Sequence, residues 1–186
     1  MIKQYRCKNK GIKITYSKCC TVPSHTTLYR LRNYSEKSLP KFTYPTWFFV
    51  TEDDEEFTKS LWNLFQYRKE DKNATSDPLE LILDTFVVTD DLVLYYINDK
   101  KGTSYLDMEN SINDINYEKT YIDLVTGDNI QLAKWLNSID SNVYGWYDIS
   151  YPEVLQEIML LPSAKKYVEH VESEVLGDVF DRLFSN

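Results

Sequence analysis

Three short runs, Thr26–Leu31, Thr46–Val50 and Leu155–Leu161, are dense in β-branched, aromatic and long aliphatic residues. Side chains of that kind fit a pleated, buried surface, so all three runs predict strands. Leu79–Val88 and Leu92–Ile97, parted by Asp90 and Asp91, predict two more, and Gly145–Tyr147 a short one. A weak alternation over Gly11–Tyr16 predicts one strand in the N-terminal arm. Arg32–Pro45, with its Asn, Ser and two prolines, reads as a loop, and Asn98–Thr103 as a turn around Gly102.

The apolar period lengthens to three and four residues in three places. Phe57, Leu61, Leu64 and Phe65 predict a helix opened by Thr51. Thr51 and Asp54 approximate a capping box, and the acids Glu52–Glu56 suit the positive end of the helix dipole. Ile130, Ala133, Leu136 and Ile139 predict a short helix after Gly127 and Asp128. Val168, Val171, Val175, Val179 and Leu183, widened by Leu176 and Phe180, predict a last helix beginning at Ser163 or Ala164, with Gly177 inside it. Residues 104–125 show no clear period. The expected fold is one α+β domain over 1–186. It has a split, mostly antiparallel sheet, flanking short helices and an amphipathic C-terminal helix, with 1–25 a basic arm.

Composition narrows the function classes. The chain is 186 residues long, 42% hydrophobic and 15% aromatic, which gives ample surface to bury and excludes disorder as the main state. No apolar run approaches the roughly 20 residues of a membrane span, so no membrane partner is expected. Net charge is −8, unevenly placed: residues 1–41 carry +9 and residues 42–186 carry −17. Generic duplex binding wants a basic surface throughout, so nucleic acid remains a partner only through the basic arm. The same charge also reads as a solvated face that complements the acidic body.

The three cysteines, Cys7, Cys19 and Cys20, are odd in number with an adjacent pair, which is no secreted disulfide framework. With His25 they lack the C-x₂₋₄-C spacing of a zinc knuckle, so no metal is expected. The compartment reads as reducing and intracellular. Phosphate-binding G-x-x-x-x-G-K-[ST], dinucleotide-binding G-x-G-x-x-G, H-E-x-x-H and C-x-x-C are all absent. The only histidines are His25 and His170, the latter expected to be exposed on the last helix.

One constellation carries chemistry. Leu28-Tyr29-Arg30 is a strand ending in a basic residue. Trp47-Phe48-Phe49-Val50-Thr51 is an aromatic strand leading to a hydroxyl and a helix. Glu153–Pro162 brings carboxylates into an apolar strand. This order resembles the ADP-ribosyltransferase fold, which uses Arg or His, then Ser, Thr or Tyr, then Glu. The layout also resembles transferase-like proteins of large nucleocytoplasmic DNA viruses, which implies a host-cell cytoplasmic location. The resemblance implies NAD as substrate, bent in a cleft, and ADP-ribose transfer to a macromolecular acceptor or NAD hydrolysis. Arg30 would anchor the NAD phosphate or adenosine ribose, and Thr51 would steady the nicotinamide ribose and the catalytic acid. Trp47, Phe48 or Phe49 would lie against nicotinamide. Glu157 would hold the ribose 2′-hydroxyl and stabilise the oxocarbenium-like charge as nicotinamide leaves. The chain departs from the family at Leu31, often Gly, and at Leu155, often the Glu or Gln that selects the acceptor. The rival reading is a non-catalytic protein that binds a host protein through its acidic surface or C-terminal helix.

Overall fold

A computed structural model of the chain describes residues 13–14, 19–36, 38–42, 45–72, 74, 77–97, 142–148 and 155–185. The expected turn at Asn98–Thr103, the helix of Ile130–Ile139 and Cys7 lie outside the described residues.

Nine strands are described: β1 (Lys13–Ile14), β2 (Cys19–Val22), β3 (Thr27–Arg32), β4 (Thr46–Val50), β5 (Ile82–Val88), β6 (Leu92–Ile97), β7 (Gly145–Asp148), β8 (Gln156–Leu160) and β9 (Val168–Val175). They form a sheet in the order β1-β2-β6-β7-β8-β4-β3-β5-β9. Every described pairing is antiparallel except β6 with β7. The three aromatic and aliphatic runs are thus neighbours, β8-β4-β3, near the middle of the sheet. The chain is an α+β domain with a mostly antiparallel sheet. Among the described residues no helix is long and apolar enough to cross a membrane.

Register divides the central strands into two faces. Tyr29 pairs with Phe49, and Phe49 with Glu157, so these three point the same way. Their neighbours Leu28, Phe48 and Ile158 point the other way. Both faces are buried, which is why consecutive residues in β3 and β4 are apolar. One face carries a core of Leu28, Phe48, Val50, Phe86, Ile158 and Leu160. The other holds Tyr29, Phe49 and Leu83 against Phe57 and Leu61 of helix α1 (Asp54–Glu70) and Leu176, Val179 and Phe180 of helix α2 (Leu176–Phe184).

Two expectations are corrected. Thr51 does not cap α1. Asp53 does, its side chain accepting the Glu56 backbone N–H at 2.8 Å, while the Glu56 carboxylate accepts the Glu52 N–H. The reciprocal capping logic holds, displaced by two residues, and Thr51 is fully buried after β4. The last helix is also much shorter than its stripe of valines predicts. A 3₁₀ turn, Pro162–Tyr167, leads into β9, which pairs with β5 along its whole length, and α2 begins only at Leu176. Val171 is 56% exposed and faces away from the core, so its helical spacing with Val168 and Val175 is coincidental. A register shift at Thr85/Phe86 lets the strand's inward side change partway along. Gly177 therefore lies in the first turn of α2, where a Cβ would sit 3.3 Å from the Leu79 carbonyl oxygen.

Candidate active-site cleft

The second face of the sheet is not covered evenly. Where the C-terminal half of α1 passes over β3, β4, β8 and β7, a cleft of about 480 Å³ remains open. That lies within the size range of small-molecule sites. Leu31, Trp47, Leu155, Glu157 and Asp148 line it from the sheet, and Asn63, Leu64, Tyr67 and Arg68 from the helix.

Trp47 and Glu157 meet in this cleft. The indole Nε1–H donates to Glu157 Oε1 at 3.1 Å, across 110 positions of sequence. The Trp47 ring packs on Phe49, centroids 5.9 Å apart, and Phe49 on Tyr29 at 5.3 Å, so the aromatic floor is fixed from below. Asp148 lies directly opposite Glu157 in the β7–β8 ladder. Burial raises the Glu157 carboxyl above the usual carboxylate range; the Trp47 hydrogen bond opposes that rise and the charge of Asp148 adds to it.

The strands carrying the two carboxylates are held by a polar network on the opposite face. The Tyr147 O–H donates to Gln156 Oε1, and Gln156 Nε2 donates to Glu56 Oε1 in the first turn of α1. Gly145, at φ 151°, allows β7 its approach to β8: a Cβ there would stand 1.9 Å from the Met159 carbonyl oxygen.

The other sequence-predicted site residues lie elsewhere. Arg30 faces Asp84 across the β3–β5 ladder, on the face opposite Glu157. Its guanidinium is pulled below its ordinary pKa by burial, with Glu36 and Asp84 opposing, and its Nε is buried without a hydrogen-bond partner. Asp84, fully buried, accepts from Arg32 Nε at 2.6 Å and from the Ser173 hydroxyl at 2.5 Å. His170 is on β9, not on a helix, with Nε2 2.9 Å from Ser173 Oγ. Phe48 and Phe49 are fully buried core residues, Phe48 against Phe42 and Phe86 on the far face. Thr51 does not line the cleft.

Sequence reasoning missed Asp148 and Arg68. A signal for Arg68 existed: it continues the stripe Leu61, Leu64, Phe65 by one further turn, a cation at the end of an apolar face. Among the described residues no cluster of three His, Cys, Asp or Glu side chains could hold a metal ion. No protein-family model, no curated protein and no solved structure matches this chain.

Proposed function

We propose that this cleft cleaves the nicotinamide–ribose bond of NAD, as an ADP-ribosyltransferase or NAD hydrolase. The observation that carries the reading is Glu157, a half-buried carboxylate steered by the Trp47 N–H inside a cleft of ligand size. The adjacency of β8, β4 and β3 supports it, although of the six predicted site residues only Trp47 and Glu157 line the cleft. Glu157, ionised, holds the ribose and stabilises positive charge at the anomeric carbon as nicotinamide departs. Its oriented charge in a partly dry site is worth far more than in water. Trp47 offers ring surface to the departing nicotinamide. Arg68, which lines the cleft, takes the phosphate-holding role that the resemblance implied for Arg30; a guanidinium suits paired phosphate oxygens. NAD added to the purified protein is expected to release nicotinamide and raise the Tm. Neither release nor a Tm rise over a range of pH and NAD concentration would remove the reading.

A second reading is favoured by a separate observation. Between α1 and α2, Trp62, Leu79 and Phe184 are 46%, 42% and 52% exposed, in a groove bordered by Glu55, Lys59 and Asp181. An apolar groove between two helices fits the apolar face of an amphipathic helix of a partner protein.

A further inference from the structure

We infer that Asp148 is the acceptor-side base of the cleft, and that the acceptor is an oxygen nucleophile, water or a hydroxyl group. This rests on the NAD-cleaving reading above. Asp148 and Glu157 are directly opposed across the β7–β8 ladder, and both line the cleft. Like charges so placed destabilise the ladder, and partial burial adds to the cost. Two carboxylates brought to one wall of a ligand-sized cleft suit a reaction that separates two charged tasks. β8 itself offers no second polar group toward the acceptor, since Leu155, two residues before Glu157, is apolar. β7 supplies the carboxylate instead, and Gly145 is the residue that lets β7 come close enough to do so.

The two carboxylates then divide the work. As the C1′–N bond of NAD breaks, its electron pair leaves with neutral nicotinamide, and Glu157 faces the cationic ribose. An acceptor oxygen forms the new C1′–O bond, and its proton passes to Asp148 and on to solvent. An oxygen bonded to an oxocarbenium carbon is strongly acidic, so a carboxylate is a sufficient base. A guanidinium acceptor has no free electron pair until it has already lost a proton, and a carboxylate is poorly matched to that task.

Anionic nucleophiles separate the two roles, because azide has no proton to lose. Nicotinamide release from NAD would be followed for wild type, Asp148→Asn, Asp148→Ala and Glu157→Gln, each with and without sodium azide, with thermal melting as the folding control. General-base losses run to about 10²–10⁴ in rate. The expected result is a loss of that order in both Asp148 variants, restored by azide with formation of ADP-ribosyl azide, and a loss in Glu157→Gln that azide does not restore. In wild type, added methanol should give methyl ADP-ribose in competition with water. Folded Asp148 variants that match wild type, or that azide does not restore, would overturn the role of Asp148 while leaving NAD cleavage standing. A wild-type protein that releases no nicotinamide would overturn both.

Discussion

Arg30 and Glu157 stand on opposite faces of the same sheet, although only β4 separates their strands. The relation follows from parity: Tyr29, Phe49 and Glu157 form one row, and Arg30 is one residue out of it. A single cleft holding both would need a different register, which would turn Leu28 and Leu31 out of the cores they occupy. Arg30 belongs with Asp84 and Arg32, and among the described residues the cation lining the cleft is Arg68.

Glu157→Gln is expected to stabilise the fold at neutral pH. The Glu157 carboxyl is raised in the folded protein, chiefly by burial and also by Asp148. Between its unfolded and folded values the unfolded chain has already released a proton that the folded chain retains. Stability therefore falls as pH rises through that window and stays lower above it. Gln keeps an acceptor for the Trp47 N–H and cannot ionise. Relief of a like-charge pair, at roughly 0.2–1 kcal/mol, corresponds to about 0.5–4 °C of Tm for a chain of this size. Melting curves from pH 3.5 to 8 should show the variant and wild type converging at the acid end and the variant higher at pH 8. A variant that melts lower at pH 8 would contradict the strain assigned to this carboxylate.

The same pair shows what the sequence could and could not disclose. β3, β4 and β8 were legible because both of their faces are mostly apolar, which leaves composition as an unambiguous strand signal. Trp47 and Glu157, which line the cleft, drew notice for the same reason: a carboxylate and an indole stand out in such runs. Which face each residue takes depends on ladder register, and register is set by partners far away in sequence. That is why Arg30 was placed with Glu157 and Asp148 was not. In β9, valines at spacings of three and four satisfied a helical period while the acids between them satisfied a strand. Pairing with β5 decided in favour of the strand.

Gly145→Ala tests the close approach of β7 to β8. A methyl group there would meet the Met159 carbonyl at 1.9 Å, with φ in a region L-residues avoid. Backbone strain and displacement of β7 should cost on the order of 1–3 kcal/mol and lower Tm by several degrees. Cleft activity should fall more than the residual folded fraction accounts for, because Asp148 ends the same strand. Unchanged melting and activity would show that β7 does not need this contact.

Asp53→Ala should destabilise by about 0.5–2 kcal/mol through loss of the bond to the Glu56 N–H. Asp53→Asn should restore most of it, since the amide oxygen still accepts. Urea unfolding of wild type and both variants measures this directly. If Asp53→Ala is silent, the start of α1 is held by something other than this cap.

The most direct measurement is steady-state nicotinamide release with NAD varied, for wild type, Glu157→Gln, Arg68→Ala and Arg30→Ala, each shown to be folded. The cleft assigned here predicts that Glu157→Gln lowers kcat by on the order of 10²–10³. Arg68→Ala should act mainly through KM, because it holds ground state and transition state alike. Arg30→Ala, on the opposite face, should leave both parameters of the folded protein within about twofold of wild type. Full activity in Glu157→Gln, or a large rise in KM for Arg30→Ala with none for Arg68→Ala, would contradict the assignment of this cleft as the site.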